Sequence, residues 1–511
     1  MQAINEALGN NRERPLYIGS VKAVVGHTEE CAGLAGMWWV PILLLLTHIP
    51  LGVLKALLCF ANNAIPPQPR TGPLNAAIDS MTCSAIVPGS ITAFLPQGHP
   101  RLCGVSSFGL SGTLAHIILQ EPQLVPLQIS HTGRHVFILS ARNSVDYFIG
   151  ARRYLDFFDA QHLRGDAFEA ACRTTQVGRD HFSVRRAWVL TGWRALLEAL
   201  HQALAQPPPR PLALHYRPKF GIWFGLPLSG RSLGLNDHAI YQSKLAECRE
   251  AGWASDYEYF MEQLALARCL ETLGVDVCAV GGEGITEYVA GTFAGLIPPY
   301  AVFRLVGQQS QGARSAIAQC SSSLLDEHLM RWRTDELRVI GQHGSRRFML
   351  RGTPDAIESL ARDADVTIDI NNTLPPPTVL SPIHLSHPPR IPIVSSHLGE
   401  VLDNETVTNY NYWNHVQDRD IYTDTAWQTM ASHCDAVINL GLVDDISDVL
   451  KTKCISGHQN SLEHLVAKLF EMGCVVDWQQ FTSIGPRGHL PPYSWATETE
   501  YTALKALAKC Q

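Results

Sequence analysis

Residues 274–295, GVDVCAVGGEGITEYVAGTFAG, have the layout of a covalent catalyst's turn without the atom that would do the chemistry. A short apolar run, Val275–Val280, leads into a glycine-rich turn and then into a helix opening at Glu287. In α/β folds such a strand–turn–helix holds one side chain, usually serine, on a strained and exposed apex. Glu283 and Gly284 stand at the turn, which holds no serine or cysteine. A dinucleotide loop would need a third glycine at the G-x-G-x-x-G offset, which Gly281–Gly284 lacks. Glu283 as a carboxylate nucleophile is the sharper alternative; a solvated turn carboxylate pointing off the apex is the expected reading.

The elements that must position such a turn need a sizeable core. At 511 residues, 46% hydrophobic and 17% charged, the chain should form two to four globular units with little disorder. A net charge of −7 without a basic tract gives no basis for a nucleic-acid partner. Thirteen scattered cysteines, odd in number and without C-x-x-C, point to reduced thiols in a cytoplasmic setting. The 21 histidines show no metal-ligand spacing such as H-E-x-x-H, no cofactor motif is found, and no secretory leader opens the chain.

Two further stretches carry a specific pattern. They are Tyr17–Lys22 with Gly26-His27-Thr28-Glu29 and Cys31–Gly36, and Gly104–His116, GVSSFGLSGTLAH. Both resemble the C-terminal third of a type I ketosynthase. The resemblance implies that His27 is the second catalytic histidine, which helps decarboxylate the extender, and that Lys22 supports it. Residues 1–10 match the region just after the family's first histidine, so its nucleophilic cysteine and that histidine would fall before Met1. Cys31 and Cys103 occupy non-nucleophile positions, and Leu114 replaces the family's asparagine. Condensation needs a thiolate to hold the chain, so this segment is not expected to condense. A thiolase-like fold reduced to this part should also leave an apolar face uncovered.

Residues 37–52 interrupt that resemblance with MWWVPILLLLTHIPLG. Three readings stand: a retained short intron, a buried insertion, or a membrane span. Removing 37–52 restores an uninterrupted ketosynthase helix, and codons at Gly36–Trp38 and Leu51–Gly52 can fit splice junctions. The intron is the preferred reading, and Pro41, His48 and Pro50 count against a span.

The rest of the chain resembles the linker and acyltransferase of fungal-type modular polyketide synthases. Thr174, Gly178–Phe182 and Arg185–Ala187 match the linker, where Arg179 and His181 are structural. Val280, Glu287–Ala290 and Gly295 fall in register with the acyltransferase turn, whose His-Ser pair lands on Glu283 and Gly284. Pro227 stands where a glutamine supplies an oxyanion-hole amide, and proline has no N–H to donate. Gln309 stands where an arginine clamps the malonyl carboxylate, and Pro375 where the general base belongs; His384 and His387 follow nearby. Val476-Asp477-Trp478 and Leu490–Trp495 match the linker after the acyltransferase.

The implied fold class is α/β: a partial thiolase-like segment (1–121), a small α+β linker unit (122–216), and an acyltransferase (217–475) with an α/β-hydrolase-like core. A ferredoxin-like subdomain is expected at about 340–400, and a post-acyltransferase linker and tail at 476–511. The expected function is that of a truncated, degenerate polyketide-synthase protein. It would be catalytically inactive and act as a docking or scaffold subunit on an acyl carrier protein or a full-length synthase. The alternative is a trans-acting malonyl- or acyl-CoA:acyl carrier protein transferase with a non-standard site. A hydroxyl or thiol beside a usable imidazole at the turn would overturn inertness.

Overall fold

The structure is a computed structural model. It describes residues 15–26, 50–69, 72–73, 85–96, 98–108, 112, 114–121, 133–213, 215–225, 238–250, 258–299 and 301–302. Beyond these it describes 314–334, 336–343, 346–363, 365–370, 385, 387–414, 416, 420–441, 454–456, 461–482, 485 and 487–493. The chain divides into two compact units, 1–125 and 126–511.

In the first unit, helix α1 (Pro50–Asn62) packs on one face of an antiparallel hairpin, β1 (Leu102–Phe108) and β2 (Leu114–Gln120). Burial alternates along both strands, so side chains point in turn toward and away from the helix. The outward set includes Leu102, Phe108, Leu114 and Ile118, all exposed. Arg101 ties the inner side together: it pairs with Glu121, reaches Asn63 Oδ1 at 2.9 Å and the Phe60 carbonyl at 3.1 Å, and lies against the Phe60 and Phe94 rings. The expected helix through 31–62 is described only from Pro50 onward; the apolar run 37–49 lies outside the described residues. No helix among the described residues is long and apolar enough to cross a membrane.

The second unit opens with a small α+β layer. Strands β3 (His135–Ala141) and β4 (Val184–Leu190) pair antiparallel under helices α2 (Ser144–Gln161), α3 (Asp166–Val177) and α4 (Trp193–Ala205). Asn143 starts α2 by accepting the Asp146 N–H at 2.9 Å. Phe137, Tyr147, Phe158 and Phe168 fill this core. Arg179 donates to the Pro491 carbonyl at 2.7 Å and lies over the Tyr493 ring, and His181 donates to the Thr175 carbonyl at 3.2 Å. Both residues therefore hold structure, and the segment 487–493 closes on this layer.

The main core surrounds a five-stranded parallel sheet. Its strands are β5 (Phe220–Phe224), β6 (Val277–Gly282), β11 (Ile393–Ser395), β12 (Ala436–Asn439) and β13 (Cys454–Ser456), in spatial order β11-β6-β5-β12-β13. Every residue of β5 is buried, as expected of a central strand covered on both faces. The run Phe260–Leu273, amphipathic in sequence and expected to be core, forms helix α5 (Glu258–Thr272), which is buried on nearly every side. Even Gln263 is fully buried, accepting the Gly225 N–H at 3.1 Å and donating to its carbonyl at 2.9 Å.

Strands β7 (Arg314–Gln319), β8 (Leu337–His343), β9 (Arg347–Gly352) and β10 (Thr367–Ile370) form a separate antiparallel sheet. Helices α7 (Ser322–Leu329) and α8 (Pro354–Ala361) complete a β-α-β-β-α-β order, which is ferredoxin-like. Its bounds correct the sequence expectation of 340–400. The subdomain begins at Arg314, and Ile393–Ser395 belongs to the main sheet instead, hydrogen-bonded to the turn-bearing strand β6.

Candidate functional site: the acyltransferase-type elbow

Strand β6 ends at Gly282, a 3-10 turn covers Gly284–Thr286, and helix α6 (Glu287–Phe293) follows at once. Gly282 cannot carry a side chain, because a Cβ would sit 2.5 Å from the Glu287 nitrogen. Gly284 adopts φ +58°, the left-handed conformation of a strained apex. A Cβ there would meet Ile421 Cδ1 at 3.0 Å and Met349 Cε at 3.7 Å. The geometry of an elbow is therefore built, and the residue on it is hydrogen only.

A buried polar cluster holds the turn from below. The Glu287 carboxylate accepts the Ser396 N–H at 3.1 Å, the Ser396 hydroxyl at 3.0 Å, and the Tyr412 hydroxyl. Ser396 Oγ in turn accepts the Gly284 N–H at 3.2 Å, so the apex is tied to the start of α6 through one serine. His397 donates from Nδ1 to the Asp420 carbonyl at 2.8 Å, which leaves Nε2 3.9 Å from Glu287 Oε2 and without a hydrogen-bond partner. Ser396 and His397 thus stand beside the apex without forming a nucleophile–base pair. The serine proton points at a carboxylate, and its side chain is 0% exposed.

Glu283 requires a correction. The sequence places it in solvent, but it is 1% exposed, with Thr423 Oγ1 3.5 Å from Oε1 and no partner on Oε2. Its backbone N–H reaches the Phe224 carbonyl at 2.9 Å, which seats the turn at the end of β5 and draws the side chain inside. Two more groups in this neighbourhood escaped the sequence reading. The Tyr259 hydroxyl is buried without a partner, and burial pushes its pKa up, with Glu262 and Glu283 adding and Arg347 opposing. Arg347, at the start of β9, is 7% exposed, and neither Nη1 nor Nη2 has a partner. "RRFMLRG" announces a strand but says nothing about which arginine turns inward.

His27, Pro227, Gln309, Pro375 and His384 lie outside the described residues. Lys22 is exposed on a short helix, Lys22–Val25, and His387 is exposed. No cluster of three or more possible metal ligands occurs among the described residues.

A parallel core with an elbow and an inserted ferredoxin-like sheet defines an acyltransferase-type α/β protein. The solved acyl transferase domain of ZmaA shares this fold, with a TM-score of 0.52 at 17% identity over 71% of this chain and 100% of that one. The profile of the beta-ketoacyl synthase C-terminal domain matches residues 1–51. Hispidin synthase of Neonothopanus nambi is 25% identical over 86% of this chain, and the spectinabilin polyketide synthase system protein NorB of Streptomyces orinoci is 27% identical over 81%. The chain is thus a relative of the polyketide synthases, running from ketosynthase C-terminal sequence into an acyltransferase fold. It spans 29% and 21% of the length of those two proteins.

Proposed function

We propose that this chain is a non-catalytic acyltransferase-like component of polyketide assembly, acting as a docking or scaffold unit for an acyl carrier protein or a larger synthase. One observation carries the reading: the apex residue, Gly284, offers no atom to hold an acyl group. Loss of the nucleophile alone costs a triad-type enzyme about a millionfold in turnover. Proline at 227 and glutamine at 309 are further departures at positions that matter in the resemblance. The test is incubation of the purified chain with radioactive malonyl-CoA followed by a denaturing gel. No protein-bound label is expected, and a covalently labelled band overturns the proposal. Docking is read separately, by titrating an acyl carrier protein into the chain in a calorimeter.

A second reading has one observation in its favour. The unpartnered Nη1 and Nη2 of Arg347, with Tyr259 and Glu283 in the same buried neighbourhood, make a polar setting that a carboxylate-bearing acyl group would complete. On that reading the acyl group of malonyl- or acyl-CoA passes directly to the thiol of an acyl carrier protein without a covalent step on Gly284, and release of free CoA that depends on added carrier protein would be the signature.

A further inference from the structure

Strand β6 carries a feature that the acyltransferase resemblance does not use. Its pairing with β5 shifts register between Val277 and Ala279, so Cys278 is the extra residue of a bulge. A bulge re-aims its side chain, and here the thiol turns toward the end of helix α9 (Thr423–His433), where Cys434 is the C-terminal cap. The two sulfurs are 3.0 Å apart. The space between β5 and that helix end exists because residue 221 is glycine: a Cβ there would sit 2.7 Å from Met430 Sδ and 3.0 Å from Cys434 Sγ. Cys278 is half-buried and so reachable from solvent, while Cys434 is 6% exposed. Cys278 Sγ also lies 3.4 Å from the Phe220 carbonyl.

We propose that Cys278 and Cys434 form an oxidisable dithiol site that takes a small disulfide oxidant, of the class of oxidised glutathione. The Cys278 thiolate attacks one oxidant sulfur, breaking its S–S bond and expelling one thiolate, which takes up a proton. The Cys434 thiol then loses its proton to solvent and attacks the Cys278 sulfur, expelling the second small thiolate. The protein gains one disulfide and loses two hydrogens, and the oxidant is reduced to two thiols. A disulfide needs sulfurs about 2.0 Å apart, so closure asks for an approach of about 1 Å at a bulge and a helix end. The hydrogen bond from Cys434 lowers the Cys278 pKa from the usual thiol value, with Lys219 adding and burial and Asp276 opposing. Burial instead pushes Cys269 and Cys454 up to about 12. Thiolate character therefore singles out Cys278 among these three.

The test uses the full chain in oxidised and reduced glutathione at a series of ratios, quenched with a maleimide, denatured and peptide-mapped. The expected result is a cross-linked peptide pair containing 278 and 434, formed roughly tenfold faster than any modification at Cys269 or Cys454. Cys434→Ser should trap Cys278 as a stable mixed disulfide with glutathione. The wild-type map decides the question even if that variant folds poorly. Recovery of both residues fully alkylated at poises that oxidise Cys269 or Cys454 overturns the proposal. So does a lasting glutathione adduct on Cys278 in the wild type.

Discussion

Replacing the apex glycine by serine separates geometry from chemistry. Gly284→Ser restores the hydroxyl that the elbow lacks, at φ +58°. A non-glycine residue in the left-handed region costs about 1–2 kcal/mol. The new Cβ would also press on Ile421 Cδ1 at 3.0 Å, the end of a flexible side chain in a small apolar cluster with Ile340 and Met349. That contact is relieved by a shift of a few tenths of an ångström, so the total loss should be about 1–3 kcal/mol. Gly295→Ala is the control: φ is +79°, and its Cβ would meet nothing nearer than Arg390 Cδ at 3.9 Å, so it reports backbone strain alone. The difference between the two variants isolates the Ile421 contact. Thermal denaturation should place Gly284→Ser a few degrees below wild type. On the proposed reading radioactive malonyl-CoA should still leave no covalent label, because the resemblance puts Pro227, which has no amide hydrogen, at the position of the amide donor. Covalent label on the Gly284→Ser variant would refute the account of the site, and a variant at least as stable as wild type would refute the account of strain.

Glu287→Ala removes the acceptor of the Ser396 N–H and of the Ser396 hydroxyl, while the Tyr412 hydroxyl keeps Ser395 Oγ at 2.6 Å, and should cost about 2–4 kcal/mol in urea unfolding. Glu287→Gln should cost less, and a loss under about 1 kcal/mol for the alanine would show that the carboxylate does not brace the turn. Gln263→Leu leaves the Gly225 N–H and carbonyl unpaired in a buried place, for an expected loss of about 2–4 kcal/mol by the same measurement. Burial lowers the His181 pKa from 6.5, with the nearby Arg185 charge also lowering it while the Thr175 hydrogen bond and Asp180 oppose. The unfolded chain therefore takes up the proton first: the stability this imidazole contributes is whole above pH 6.5 and is lost as the pH falls below it. Melting temperature against pH should fall in that window, and His181→Gln should flatten part of the slope. His135, His238 and His464, also lowered by burial, contribute to the remainder.

What the sequence made legible was local in origin. The turn at 281–286 follows from a short apolar strand, consecutive glycines and a helix-forming run after Glu287, all within a dozen residues. The order β9-α8-β10 has the same local origin: Thr353 caps α8 with Pro354 at its first turn, bounded by apolar strands. What stayed hidden depends on partners far along the chain. Ser396 reaches Gly284 across 112 residues, and Glu283 is enclosed by the end of β5 and by Thr423. No pattern near Arg347 distinguishes it from Arg346, although Arg346 is exposed and Arg347 is buried. The misplaced subdomain boundary has a similar source, since Ile393–Ser395 looks like any short strand until its parallel pairing with β6 is known.

The supports of the elbow are independent of the residue at its apex. Nothing that holds the turn passes through a side chain at 284. Gly282 fits because backbone approaches backbone, the Glu283 N–H reaches Phe224, and Glu287 gathers Ser396 and Tyr412 beneath α6. These contacts are buried, and several are charge-assisted, so they stabilise the strand–turn–helix whether or not a hydroxyl stands on it. Placing serine on the apex adds strain, so removing it relaxes the fold, the opposite of what deleting a core side chain does. On the proposed reading, an acyltransferase fold with glycine at the apex can therefore keep its outer surface intact. That makes a docking role physically coherent and places the decisive measurement on binding, where a surface is read, as much as on turnover, where only the apex is.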